Sequence, residues 1–168
     1  AYRWPIYFII SVSFWNLVGA GLFGFLINPP IALYYMQGLN TTPLHGHAAL
    51  FGVFGMLAIG LMLFVLKGLT IKYRWKTGML RIAFWTMNGG LMLMLLLSLL
   101  PVGVLQTVAS IKVGMWYARS ADFMQGDTME TLRWLRVIGD TVFAVGSVAL
   151  ALFVVGLKTG WSIDKTQK

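Results

Sequence analysis

The chain has 168 residues, of which 58% are hydrophobic and only 11% are charged. With a mean hydropathy of +0.78, this composition is typical of a membrane protein and not of a soluble domain. The chain contains no cysteine, which excludes disulfides, thiolate metal sites and iron–sulfur clusters within it.

Four apolar runs are long enough to cross a bilayer, since about 20 apolar residues are needed for roughly 30 Å of hydrocarbon. They cover about residues 4–27, 43–66, 79–104 and 135–157. The sequence therefore predicts an all-α integral membrane protein: a single membrane domain of four transmembrane helices, with no soluble domain.

Proline and polar residues predict where these helices start and stop. Asn28 and the two prolines after it end the first helix, because proline lacks a backbone donor and restricts the residue before it. Thr42 and Pro43 predict the second start, as an N-cap followed by proline at the first helical position. Pro101 predicts a kink in the third helix. Residues 105–134 are expected to extend that helix and then form a loop or surface helix.

The sequence Gly-Ala-Gly-Leu-Phe-Gly at residues 19–24 matches the dinucleotide-binding pattern G-x-G-x-x-G. The pattern is informative only between a strand and a helix, and here it lies inside a predicted span. Small residues in that position favour close approach of another helix or of a flat cofactor.

The net charge of +8 is distributed unevenly between the two sides of the predicted bundle. Nine basic residues fall on the side with both termini: Arg3, Lys67, Lys72, Arg74, Lys76, Arg81, Lys158, Lys165 and Lys168. Four fall on the other side: Lys112, Arg119, Arg133 and Arg136. By the positive-inside rule, both termini are expected in the cytoplasm. The charge is thus a topology signal and does not indicate a nucleic-acid partner.

The only two histidines, His45 and His47, lie at the head of the second apolar run. Residues two apart on an α-helix are about 200° apart around its axis, so the two rings cannot chelate one metal together. They suit two separate centres, and a lone imidazole in a cysteine-free span favours haem iron. Two alternatives are interfacial histidines bonded to water or carbonyls, and a proton or ion path.

The residues along the two faces fit this interpretation. The face of His45 continues through small residues, Ala48, Ala49 and Gly52, which predicts room for a planar macrocycle. The face of His47 continues through Phe51, Phe54 and Ala58, which would supply apolar cover for a second one. A low-spin bis-histidine haem needs two imidazoles, so neither haem could be completed from this chain.

Several segments make the chain resemble the catalytic subunit of nitric oxide reductases, in the haem–copper oxidase superfamily. YYMQGLNTTPLHGHAALFGVFGMLAIGLMLF (34–64) resembles the family's tenth core helix, and its lead-in is nearer to the quinol-dependent branch. The opening AYRWPIYFIISVSFWNLVGAGLFGFLINPP, and the later VGMWYARS and WLRVIGDTVF, are also similar to that family. The resemblance covers essentially the whole chain.

The resemblance implies a partial haem–copper oxidase subunit I-like bundle, the last third of a larger catalytic subunit. His45 would be the axial ligand of a high-spin b-type haem, and hence a catalytic residue, and His47 an axial ligand of a low-spin b-type haem. The non-haem iron of the intact enzyme, and the other low-spin axial histidine, would be held by helices absent from this chain. The chain alone is therefore expected to be inactive.

The implied reaction is respiratory reduction of nitric oxide to nitrous oxide, with quinol as donor, in the bacterial cytoplasmic membrane. Arg133 and Arg136 are candidates to meet haem propionates, and Arg119 is a weaker one. An ion pair between Arg136 and Asp140 is the alternative, and Asp140 could also join an external proton route. Competing functions are an oxygen-reducing relative and a non-catalytic membrane subunit or transporter.

Overall fold

The computed structural model describes residues 2–164, so Lys165 and Lys168, two of the nine basic residues, lie outside the described part. The helices in that part are α1 (Arg3–Ile27), α2 (Pro30–Met36), α3 (Thr41–Leu69), α4 (Gly78–Lys112), α5 (Met115–Arg119), α6 (Ala121–Met124), α7 (Asp127–Trp134) and α8 (Arg136–Thr159). Two short strands, β1 (Arg74–Trp75) and β2 (Ile163–Asp164), pair antiparallel.

Four long apolar helical segments can each cross a membrane, which confirms the predicted all-α membrane fold. These segments are α1, α3, α4 and the pair α7–α8. Each of these helical segments is longer than the predicted apolar segment, because a helix continues beyond the hydrocarbon where nothing breaks its hydrogen bonding. The segment after the third span also agrees with expectation: α4 extends to Lys112, and the short helices α5, α6 and α7 follow.

Three stretches inside the long helices are wound as π-helix, and two of them lie next to the histidine pair. They are Asn16–Phe23 in α1, Ala48–Gly55 in α3 and Leu95–Leu99 in α4. The third ends just before Pro101, so the expected irregularity in α4 takes the form of a widened turn. π-Helical turns occur often at functional sites, and those in α1 and α3 contact each other.

Glycines set how closely the long helices approach. A Cβ atom built on Gly90 of α4 would lie 2.4 Å from the backbone nitrogen of Phe143 in α8, and one on Gly139 would lie 2.5 Å from the nitrogen of Met94. The two backbones can therefore pack in contact only because neither glycine carries a side chain, as in other membrane helix pairs.

One end of the bundle gathers the start of α1, the connection between α3 and α4, and residues 160–164 after α8. β1 comes from that connection and pairs with β2 after α8. Lys67, at the end of α3, is buried and donates to the carbonyl oxygen of Tyr73 at 2.7 Å. We call this the basic end, and the opposite end, where α3 begins, the histidine end.

Candidate functional site

The start of α3 is held by a glutamine from α4. The first helical residue is Thr41, with Asn40 in the N-cap position, so the predicted cap at Thr42 is wrong by two residues. Gln106 Oε1 accepts hydrogen bonds from both the backbone nitrogen and Nδ2 of Asn40, each at 2.8 Å. The side chain of Asn40 is thus committed to α4 and does not cap its own helix. This contact, and not a local capping box, fixes where the histidine segment begins.

His45 points its ring toward α1. Its Nδ1 lies 2.8 Å from the carbonyl oxygen of Gly19, which belongs to the π-helical stretch of α1. A Cβ atom on Gly24 would lie 3.0 Å from Cε1 of the same ring. Two glycines of α1 therefore let the imidazole lie against that helix, and a backbone carbonyl fixes its orientation.

His47 faces a different helix. Its Nδ1 lies 2.8 Å from the carbonyl oxygen of Pro43, one turn earlier in α3. Its Nε2 lies 3.0 Å from a terminal guanidinium nitrogen of Arg136, the first residue of α8. The ring of Phe51 packs beside it, with centroids 5.6 Å apart. The two histidines thus contact α1 and α8 separately, as their 200° separation predicts.

The hydrogen bonds assign the same tautomer to both rings. A carbonyl oxygen can only accept, so each Nδ1 must carry a proton, and in the neutral ring each Nε2 then keeps its lone pair. Metal-ligating histidines are oriented in this way, with one nitrogen held by a carbonyl and the other free to bind. Both residues therefore have the donor chemistry of axial haem ligands. For His47, the Arg136 guanidinium stands at the lone pair and has to move aside for a metal.

The two sites are single-imidazole sites. Within residues 2–164, no three His, Cys, Asp or Glu side chains lie close enough together to hold one metal ion. This arrangement suits a metal already bound by a macrocycle, which needs only an axial donor from the protein.

One sequence expectation about this region is wrong. The small residues beyond His45 do not leave open space, because α1 fills it. A Cβ atom on Gly19 would lie 2.5 Å from that of Ala48, and one on Gly52 would lie 2.4 Å from Cγ of Trp15. The indole Nε1 of Trp15 then donates to Oδ1 of Asn88 in α4 at 2.8 Å. These small residues serve helix packing around the site and do not form its cavity.

The three candidate arginines at the histidine end make different contacts. Arg136 donates through Nε to the carboxylate of Asp140 at 3.3 Å, the predicted i, i+4 pair, while also reaching His47. Arg133 donates to the carbonyl oxygen of Met124 at 3.2 Å. Arg119 donates to the carbonyl oxygen of Gln37 in the connection before α3. Only Arg136 therefore contacts a histidine.

Sequence reasoning missed Gln106, and it did not connect Gly19 and Gly24 with His45. Gln106 is buried, with 3% of its surface exposed, and also donates through Nε2 to the carbonyl oxygen of Ala118 at 2.9 Å. A lone amide next to an apolar span is a signal that could have identified it, since buried polar groups need partners. The small residues at 19–24 predicted close approach of another helix or of a flat cofactor, but the sequence does not say that His45 faces them.

Comparison with known proteins identifies the family of this chain. The chain is similar to a nitric oxide reductase polypeptide of Stutzerimonas stutzeri, at 27% identity over 150 residues, which covers 83% of this chain and 30% of that protein. The chain thus spans about a third of the length of this curated relative. The family model described as cytochrome c and quinol oxidase polypeptide I matches residues 1–142, most of the chain. The chain therefore belongs to this family, the haem-binding subunit I of haem–copper oxidases.

Proposed function

We propose that this chain is the haem-binding C-terminal segment of the catalytic subunit of a respiratory nitric oxide reductase. In this proposal His45 is the axial ligand of a high-spin b-type haem, and His47 is an axial ligand of a low-spin one. The remaining helices of the subunit supply the second low-spin ligand and the ligands of a non-haem iron. The subunit lies in the bacterial cytoplasmic membrane with both termini of this chain inside.

The observation that carries the proposal is the pair of oriented imidazoles. Each has its Nδ1 held by a backbone carbonyl at 2.8 Å, and each presents an Nε2 lone pair on its own side of α3. An interfacial histidine bonded to water has no need of such fixed orientation. The similarity to a nitric oxide reductase polypeptide adds the choice of reaction.

The chain's own residues would act by orientation and charge. Bound haem supplies electron transfer at one centre and a site for nitric oxide at the other. The carbonyl of Gly19 keeps the His45 ring in place. Arg136 provides a cation beside His47 that would pair with haem propionates once it leaves Nε2. Both histidines sit on one continuous helix, so their separation is fixed.

The proposed reaction joins two molecules of nitric oxide, two electrons and two protons into nitrous oxide and water, with quinol as the electron donor. A second candidate is oxygen reduction, which is favoured by the description of the matching family as cytochrome c and quinol oxidase polypeptide I. The same histidine pair would serve both reactions, so gas specificity has to be measured.

The test uses the intact membrane protein that contains this chain, purified with its haems and supplied with reduced quinol. We expect nitric oxide to be consumed and nitrous oxide to appear at one molecule for every two consumed. Oxygen consumption at a higher rate, with no nitrous oxide, would instead support the oxidase. An intact protein without a haem spectrum would contradict both.

A further inference from the structure

Two adjoining recesses at the basic end are not used by the histidine site. The first is a groove of about 570 Å³ along α1 and α4, and its walls include Tyr7, Phe14 and Trp85, with Arg3 and Arg81 among its lining. The second, of about 500 Å³, lies against the connection between α3 and α4. Arg3, Trp4 and Thr77 line both, so the two recesses are continuous.

The second recess is strongly cationic. Four basic residues line it, and no acidic residue does: Arg3, Lys67, Lys72 and Arg74. Among residues 2–164, the acidic residue at this end is Asp164 in β2, whose backbone pairs with that of Arg74. The charge of this recess therefore attracts an anion, and its position at the end of the spans places that anion at the level of lipid head groups.

The arginines at the junction keep donors available. Arg3 donates through Nε to the hydroxyl of Tyr7 at 2.9 Å and stacks over that ring, with its guanidinium carbon 5.2 Å from the centroid. Within residues 2–164, its two terminal nitrogens have no hydrogen-bond partner, and neither does the guanidinium of Arg81. Tyr7 thus orients a guanidinium whose outer edge is free for the two oxygens of a phosphate.

The groove next to the arginines is lined mostly by apolar and aromatic side chains. Ile10 and Phe14 of α1 and Trp85 of α4 are all exposed on this chain, at 59%, 46% and 66%. A cationic recess that continues into an aromatic and aliphatic groove matches one kind of molecule, an anion attached to an acyl chain.

We propose that the two recesses form one binding site for a phospholipid with an anionic head group. The phosphate lies between Arg3, Arg81 and Lys72 of the connection, and one acyl chain follows the groove between α1 and α4. This proposal does not depend on haem binding, because none of its residues contacts His45 or His47.

The test is native mass spectrometry of the intact membrane protein in mild detergent. It is offered phosphatidylglycerol and phosphatidylcholine with identical acyl chains in equal amounts. We expect phosphatidylglycerol adducts to exceed phosphatidylcholine adducts about tenfold. The double variant Arg3→Gln/Arg81→Gln should abolish that preference, since each basic residue near a membrane surface attracts anionic lipid.

The matched control is Lys76→Gln/Lys158→Gln, which removes two charges from the same end but outside both recesses. The control should keep the preference, and an equal loss in both variants would overturn the proposal in favour of general surface charge.

The acyl chain is tested separately with Ile10→Trp, which narrows the groove without changing charge. Retention of phosphatidylglycerol should fall at least fivefold, whereas Ile82→Trp, at an exposed site outside the groove, should have no effect. Unchanged retention in Ile10→Trp would overturn the groove assignment. The same result is expected if another segment of the intact protein covers the groove, and that would overturn the assignment too. Complete displacement of the lipid by millimolar glycerol phosphate would show that only the head-group anion is bound, and this would also overturn the proposal.

Discussion

Arg136 bridges His47 and Asp140. One terminal nitrogen of its guanidinium lies 3.0 Å from Nε2 of His47, and its Nε lies 3.3 Å from the Asp140 carboxylate. A single side chain at the start of α8 thus connects a candidate haem ligand with an acidic residue one turn later in the same helix. This relationship leads to a prediction about the sign of a redox shift.

Neutralising Arg136 and neutralising Asp140 should shift the midpoint potential of the low-spin haem in opposite directions. Reduction adds a negative charge, which a nearby cation stabilises, so Arg136→Gln should lower the potential by roughly 30–60 mV. Asp140→Asn removes an anion and should raise it by a similar amount. Spectroelectrochemical titration of the intact protein measures both. Arg133→Gln is the control, because Arg133 donates to the carbonyl oxygen of Met124 in α6 and not to His47, and a shift there as large as in Arg136→Gln would refute a specific role for Arg136.

Two adjacent glycines in α4 provide a matched test of the helix packing. Gly90→Ala places a methyl group 2.4 Å from the backbone nitrogen of Phe143 and should destabilise the fold by about 1–3 kcal/mol, as overpacking does. Gly89→Ala meets no atom within 4 Å and should be neutral or stabilise by roughly 0.5–1 kcal/mol. Unfolding in mixed micelles, followed by circular dichroism, gives both values. Equal effects at the two positions would mean that α8 does not cross α4 there.

Gln106 is expected to matter for the histidine site although it contacts neither histidine. Gln106→Leu leaves the Asn40 donors and the Ala118 carbonyl without their partner and should cost about 1–3 kcal/mol. Because Asn40 precedes the first residue of α3, haem content should fall as well. The control is Gln125→Leu, at an exposed residue in the connection between α6 and α7. Unfolding midpoints and haem-to-protein ratios measure the effect, and a Gln106→Leu protein with normal values of both would contradict this role.

The membrane orientation is tested by labelling single cysteines, since the chain has none of its own. Lys76→Cys, at the basic end, should react with a membrane-impermeant maleimide only after the membrane is opened. Gln125→Cys, at the histidine end, should react in intact cells. The expectation follows from the charge asymmetry between the two ends. The reverse labelling pattern would place both termini outside.

Apolar runs and helical geometry made much of this molecule predictable. Length and composition gave the four spans, and the 200° separation of His45 and His47 was enough to place their rings on different helices. The start of α3 was predicted wrongly because a distant residue, Gln106, and not a local cap, holds Asn40. A pattern within one helix does not reveal what packs against it.

The same limit explains the error about the small residues of α3. Ala48 and Gly52 form a face that either a macrocycle or another helix could occupy. The spacing of small residues along α3 is the same in the two cases. In the structure, Gly19 and Trp15 of α1 occupy it. The identity of the partner helix depends on contacts far apart in the sequence, and those contacts also determine that the carbonyl of Gly19 orients His45.

The most direct test of the central claim is the optical and paramagnetic spectrum of His45→Ala and His47→Ala in the intact, haem-loaded protein. His47→Ala should lose the low-spin bis-histidine signal and keep a high-spin haem that binds nitric oxide. His45→Ala should keep the low-spin signal and lose normal nitric oxide binding, because the two rings contact different helices. The opposite pattern would reverse the assignment, and retention of both haem signals in both variants would show that the histidines are not haem ligands.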